Sequence, residues 1–416
     1  MTRSASPGRT RLRAGRPVLA LLLAFGTLTG AALVGAAPAA AARGAAEVAP
    51  GVTYDEFDVE AAKGTTHVHV LAVDLGEPRV RLGLLYPGTV AARATVSGLA
   101  GAQRAVGGVN GDFFHLTESS HPGVAATGAS VGPAVAEGKA LKAAVPKGQR
   151  FGPKLPSGTS TEDVFAVGTD RRARLDRLAL DGSLSTPQGT VPLGGLNQYA
   201  LPVGSVGAFT SVWGAAARKR ATCGTDTDRA APCSTETYEV TVRDGRVVST
   251  SEAPGSGPIE PGTTVLVGRE AGAERLRELA TGQAVEVTHR LVASGSQDPL
   301  DFAVGGYPVL SGGSPLPGLD ATTSAVRTAV GVADGGRRVL LLAVDGAAAY
   351  RSGLTIAEVA KTLSGLGASD GFNLDGGGSS TLVARNAGAD QVTVRNHPSG
   401  GTERAVPNGI GVFSTA

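Results

Sequence analysis

The stretch Gly371-Phe372-Asn373-Leu374-Asp375-Gly376-Gly377-Gly378-Ser379-Ser380-Thr381 sets one carboxylate beside three glycines and three hydroxyls. Phe372 and Leu374 fit the buried face of a short strand, which puts Asn373 and Asp375 together on the other. Glycines release the backbone from Cβ clashes and let it approach a ligand closely. Successive N–H groups in such a turn can form an anion-binding hollow, to which hydroxyls add donors. A carboxylate beside an anion cradle suits a substrate that carries a phosphate next to the bond to be broken. The same string also suits a plain flexible turn, because Asp-Gly is a common hairpin signal. Two further segments offer similar chemistry. Asn110-Gly111-Asp112-Phe113-Phe114 either makes a type I′ turn or holds Asn110 and Asp112 fixed against two buried rings. Asp345-Gly346 closes a continuous apolar run, Arg338 to Val344, that reads as a strand buried on both faces.

The elements that must position these residues are clearest near the C-terminus. Thr328 to Val332 and Arg338 to Val344 form a hairpin around Asp334-Gly335-Gly336. Leu354 to Leu366 reads as a helix: Thr355 and Glu358 make a capping box, and Leu354 with Val359 a hydrophobic staple. Ile356, Val359, Ala360, Leu363 and Leu366 form its apolar stripe, and Gly367 stops it. Strand, helix, strand predicts a right-handed crossover between parallel neighbours. Asp345 and Asp375 then both sit at carboxyl ends of strands, where open α/β sheets bind ligands.

The bulk properties narrow the class. Of 416 residues, 42% are hydrophobic, enough for a sizeable core, while 61 glycines, 24 prolines and only 4% aromatics favour many turns and short strands. The expectation is an α+β protein: a mixed, β-rich sheet core with a few flanking helices and one strand-helix-strand crossover carrying the site. Net charge is +2, without a dense basic cluster interleaved with aromatics, which argues against a nucleic-acid partner. Residues 1–42 read as a secretory signal, with a basic start, an apolar run from Val18 and small residues at Ala40-Ala41-Ala42. No later segment is apolar enough to span a bilayer, so no stable membrane insertion is expected after cleavage and the protein is expected to be secreted and extracellular. Residues 43 to about 52 read as a disordered lead-in.

The rest divides into 43–200, an N-terminal part with the Asn-Gly-Asp motif, 201–292, a β-rich insertion or subdomain, and 293–416, the catalytic core. In an oxidising compartment Cys223 and Cys233 read as a local disulfide pinning a polar loop. Glu236 to Ser249 reads as two strands turned at Asp244-Gly245. His67 and His69 share one face of a strand and suggest a metal pair, but no third ligand is evident nearby, so a solvated strand face is preferred. His115 and His121 could serve as acids, although loop histidines of this kind are more often solvated.

In order along the chain, Asn110 to Phe114, Gly305-Gly306-Tyr307-Pro308, Arg327-Thr328-Ala329-Val330-Gly331, Gly353-Leu354-Thr355 with Glu358, Asn373 to Thr381 and Pro407-Asn408-Gly409-Ile410-Gly411-Val412-Phe413 together resemble the phosphodiester glycosidase family. The resemblance spans roughly Ala105 to Ser414, most loosely in its middle third, and its most specific part is Asn373 to Thr381. It implies hydrolysis of a sugar joined through its anomeric oxygen to a phosphodiester, in a small molecule or a cell-wall polymer. Such cleavage uses two carboxyl groups, although a phosphodiester departs as a stable anion and needs holding more than protonating. Asp375 is then expected as nucleophile or base, with Asp345 as the second carboxylate and Asp112 as a further catalytic candidate. Arg327 is expected to grip the phosphate, with Gly376, Gly377, Gly378, Ser379 and Ser380 donating hydrogen bonds. Asn110 and Asn373 are expected on sugar hydroxyls, with Gly306 beside them; no cofactor and no metal are expected. The competing readings are a polysaccharide-binding protein without turnover and a phosphodiesterase that cleaves the P–O bond.

Overall fold

Alternating apolar residues separated by glycine-rich turns produce β-structure almost throughout. A computed structural model describes residues 45–346 and 353–415; the secretory signal read in residues 1–42 lies outside the described residues. Among these, the strands form sheets of eight, eleven and five, accompanied by the short α-helices Val96–Ala102, Ala271–Arg277 and Ile356–Gly365. The β-rich mixed core expected from composition is present. No helix among the described residues is long and apolar enough to cross a membrane.

The eight-stranded sheet contains, side by side, Gly64–Asp74, Arg338–Val344, Thr328–Ala333, Asp370–Asn373 and Tyr307–Ser311. Its hairpin pairs Thr328 with Ala343 through Ala333 with Arg338, and Asp334 and Gly335 turn the chain at φ 51° and 62°. The helix Ile356–Gly365 carries the capping box: the Thr355 hydroxyl accepts from the Glu358 N–H at 3.2 Å, and the Glu358 carboxylate accepts from the Thr355 N–H at 2.8 Å. Ile356, Val359, Ala360 and Leu363 form its buried stripe.

This helix joins Arg338–Val344 to Asp370–Asn373, but Thr328–Ala333 lies between those strands and is antiparallel to both. They run the same way without pairing, which corrects the expected parallel neighbours. The local hairpin occupies the inner edge, so the later strand pairs on its far side. Asp345 and Asp375 still emerge at one edge of the sheet, with Arg327 between them. A second correction concerns residues 43–52: Ala46–Ala49 pairs with Val52–Ala61 across Gly51, whose φ of 73° makes the tight reversal possible.

The turn signals Asp244-Gly245 and Asn110-Gly111 separate cleanly. Asp244 and Gly245, at φ 49° and 71°, have the positive values a type I′ turn requires, and they join Thr237–Arg243 to Arg246–Ser251. Asn110 and Gly111 have no such φ. The strand Gly107–Asn110 runs straight on, and the Gly111 N–H donates to the Asn408 carbonyl at 2.9 Å. A Cβ at Gly111 would strike the Asn408 side chain, so glycine is needed there for close approach.

Gly107–Asn110 belongs to the five-stranded sheet, between Leu382–Arg385 and Gly409–Ser414. The chain therefore leaves the eight-stranded sheet at Asn373, passes through the Asp375–Thr381 loop and enters the five-stranded sheet at Leu382. Asn110 fastens this passage. Its Nδ2 donates to the Asp375 carbonyl at 2.7 Å, while its Oδ1 accepts from the Thr328 hydroxyl at 2.8 Å and from the Thr381 N–H at 3.1 Å. Asn110→Ala strands these buried partners and is expected to cost about 3 kcal/mol, read from denaturant unfolding; a loss below about 0.5 kcal/mol would show that the clamp is dispensable.

Candidate active site

Asp375 follows the end of its strand and is half-buried. Its Oδ1 accepts from the Gly376 N–H at 2.9 Å. Burial pushes its carboxyl up to about 6, against the pull of the Ser379 hydroxyl, the Gly376 N–H and the Arg404 charge, with the Asp112 charge adding to the rise. Asp112, fully enclosed, is likewise pushed up by burial, and is held back by the Lys142 ammonium, the Gly132 N–H and the Arg150 charge.

Lys142 is itself fully buried and donates to the carbonyls of Val131, Gly132 and Ala143 at 3.2, 2.5 and 2.7 Å. Gly132 links the pair, because its N–H donates to Asp112 Oδ2 at 2.6 Å. Gly305 passes so close that a Cβ there would stand 2.5 Å from the same oxygen. The Asn408 side chain fixes the backbone of Asp112, accepting from its N–H at 2.9 Å.

Two arginines that motif reading did not single out complete the group. Arg150 lies over the Phe113 ring, 5.1 Å from its centroid. Burial pulls its guanidinium down, whereas the charges of Asp112 and, less strongly, Asp375 draw it up. Arg404 reaches Ser379 Oγ at 3.4 Å and lies against Gly378, where any side chain would displace it.

The disulfide Cys223–Cys233 forms and its loop buttresses Arg150. The Arg229 guanidinium donates to the Arg150 carbonyl at 2.7 Å, and the Asp226 carbonyl accepts from the Gly148 N–H at 3.0 Å. Neither arginine belongs to a recognisable motif. Only the folded chain brings positions 112, 150, 375 and 404 together.

Other expected residues sit differently. Both oxygens of fully buried Asp345 are taken: Oδ1 by His69 Nε2 at 3.0 Å and the His397 N–H at 2.6 Å, Oδ2 by His397 Nδ1 at 2.9 Å. Burial opposes its charge, but these donors hold its carboxyl down to about 2. The charge of Asp112 adds to the rise at Asp375, whereas Asp345 is occupied by the two histidines. Arg327 donates to the Leu354 and Thr323 carbonyls at 2.9 Å each, and so braces a loop.

Of the expected donors in this loop, the N–H groups of Gly376, Gly377, Ser379 and Ser380 are spent on the Asp375 carboxylate and the Val326, Gly376 and Gly377 carbonyls in turn, while Gly378 lies against Arg404. Gly306 packs on the Phe372 ring and the Asn373 carbonyl. His115 and His121 are buried beside Glu118 rather than solvated, and Glu118 is paired with Arg220 at 2.6 Å. The third residue judged missing beside His67 and His69 is present in the structure: Glu56 reaches both from the neighbouring strand.

Three buried polar atoms of this region lack a hydrogen-bond partner: Asp112 Oδ1, Asn373 Oδ1 and Thr381 Oγ1. Leaving a buried polar atom unpaired costs on the order of 1–3 kcal/mol. Such atoms, with the raised proton affinity of Asp112 and Asp375, make this region the candidate site.

Two carboxyl groups with raised proton affinity, flanked by arginines, are equipment for acid–base hydrolysis at an anionic substrate. Residues 236–413, which carry Asp375, Asp345 and Arg404, match the family model described as phosphodiester glycosidase, so this segment has the family resemblance read from Asn373 to Thr381. Asp112, Lys142 and Arg150 precede the matched segment.

Among solved structures, a hypothetical protein from Synechocystis shares 20% identity over 88% of this chain, with a TM-score of 0.65, and this chain spans 62% of its length. A Burkholderia pseudomallei protein labelled, provisionally, as exported shares 25% identity over 84% of this chain and 74% of that one, with a TM-score of 0.64. The catalytic domain of zebrafish N-acetylglucosamine-1-phosphodiester alpha-N-acetylglucosaminidase, auto-inhibited by its pro-peptide, shares 15% identity over 88% of this chain and 85% of that one, with a TM-score of 0.44. Comparison with curated proteins finds no match.

The raised carboxyl of Asp375 has a consequence for stability. An unfolded aspartate titrates near about 3.9, so between about pH 4 and 6 the folded chain holds more protons than the unfolded one. Its contribution to stability therefore falls as pH rises through that window and stays lost above it. Asp375→Asn is expected to gain about 1–2 kcal/mol over wild type near pH 7.5 and nothing below about pH 4, measured by denaturant unfolding at both pH values.

Proposed function

We propose that this chain hydrolyses a glycosyl-1-phosphodiester, releasing the sugar from the phosphate. The observation that carries the reading is the pair Asp375 and Asp112, both raised by burial, with Arg150 drawn to both and Arg404 beside Asp375. The family match over residues 236–413 supports it.

Asp375 faces the anomeric carbon as nucleophile or base, and Asp112 is the second carboxyl group, in place of the Asp345 expected from sequence. Arg150 and Arg404 hold the departing phosphodiester, whose charge grows as the glycosidic bond breaks. The unpaired Asn373 Oδ1 accepts from a sugar hydroxyl. The secretory signal read from sequence, the disulfide and the label of the Burkholderia protein support action outside the cell.

The test is hydrolysis of sugar-1-phosphodiesters and of wall polymers with the same linkage, run in oxygen-18 water. Wild type is expected to place the label in the sugar, and Asp375→Asn to lose roughly a thousandfold in rate while remaining folded. Label in the phosphate would replace this reading with P–O cleavage. Glycan binding without turnover would replace it with a binding protein.

A further inference from the structure

We propose that Glu56, His67 and His69 form a binding site for a divalent metal ion of the zinc type, on the face shared by strands Val52–Ala61 and Gly64–Asp74. The strand register pairs His67 with Asp58 and His69 with Glu56, and alternation puts all four, with Tyr54, on one face. The ligand atoms of Glu56, His67 and His69 all lie within 4.8 Å of one another. His67 Nε2 is 3.9 Å and His69 Nδ1 3.8 Å from Glu56 Oε2. Ligand bonds of about 2.0–2.1 Å set tetrahedral ligands roughly 3.3 Å apart, so small rotations would close the site. Two imidazoles and one carboxylate suit zinc and leave a fourth position open.

The backing of the two rings separates this cluster from a chance polar face. His67 Nδ1 lies 2.7 Å from Asp58 Oδ1, and His69 Nε2 lies 3.0 Å from Asp345 Oδ1. An ionised carboxylate only accepts, so each neutral ring keeps its hydrogen on the far nitrogen and turns a lone pair toward Glu56. Carboxylates behind metal-bound histidines orient the rings in this way.

The Tyr54 hydroxyl lies 2.6 Å from Glu56 Oε2 and 2.8 Å from His69 Nδ1, and so keeps these two ligand atoms on one side of the site. His69 is 2% exposed and anchors the site, while His67 at 27% and Glu56 at 40% leave an entry from solvent. Asp345 connects the cluster to His397, and Ser399 Oγ beyond it donates to the Gly377 carbonyl at 3.3 Å. An ion here would therefore stiffen the edge of the sheet that carries Asp375.

The experiment is calorimetric titration of tag-free, chelator-treated full chain with Zn²⁺. One equivalent is expected to bind wild type, and none to bind Glu56→Gln or His67→Gln, each melting like wild type without metal. Asp58→Asn, which touches no metal directly, is expected to weaken binding about ten- to a hundredfold by freeing the His67 ring. Zinc uptake that ignores these substitutions would overturn the proposal, as would no saturable uptake by wild type. Nitrogen-15 spectra showing both His69 nitrogens protonated with zinc present would overturn it as well.

Discussion

The Asn110 carboxamide ties together segments that are far apart in the chain. It stands at the end of a strand in the five-stranded sheet and spends its amide on the Asp375 turn, on Thr328 of the eight-stranded sheet and on Thr381. A side chain that donates once and accepts twice across a boundary between sheets leaves the Asp375 loop little room to shift. Other contacts reinforce the same line: the Asp375 N–H donates to the Gly111 carbonyl at 2.9 Å and the Gly377 N–H to the Val326 carbonyl at 2.9 Å. The loop is glycine-rich and yet held at both ends. This reconciles its composition with a fixed geometry for the carboxylate at its start.

Electrostatics builds on that scaffold. Placing Asp112 and Lys142 together in the interior is tolerable because each group has partners: Gly132 for the carboxylate, three carbonyls for the ammonium. Removing one member of such a pair typically costs about 3–5 kcal/mol, since the other charge is left uncompensated. Asp375 is less enclosed but sits within reach of the same field. Its proton affinity is high because burial outweighs the donors around it, and Asp112 pushes in the same direction. Folding free energy is thereby lost to hold two carboxyls with raised proton affinity, the cost that the proposed chemistry would require.

What the sequence disclosed was local. The capping box at Thr355 and Glu358, the hairpin around Asp334-Gly335 and the type I′ turn at Asp244-Gly245 each depend on residues within a few positions of one another, so pattern alone reveals them. The strand ending near Asp375 was legible for the same reason. Arg150 and Arg404 were not, because nothing next to them in the chain signals a neighbouring carboxylate; folding brings them in from 225 and 29 positions away from Asp375. Asp345 shows the converse failure. An aspartate ending a buried strand looks alike whether it meets solvent or, as here, two histidines from a neighbouring strand and a distant loop. At the histidine face, strand alternation gave His67 and His69, but Glu56 arrives only through pairing register.

The central claim is that half-buried Asp375 and fully enclosed Asp112 are carboxyls with raised proton affinity at the junction of two sheets. Carbon-13 spectra of aspartate-labelled protein, titrated by pH and assigned with Asp375→Asn and Asp112→Asn, measure it directly. The account predicts that the Asp375 carboxyl titrates near 6, and that it moves lower once Asp112 is replaced by Asn. A midpoint near about 4, as in an unfolded chain, with no response to that replacement, would contradict it.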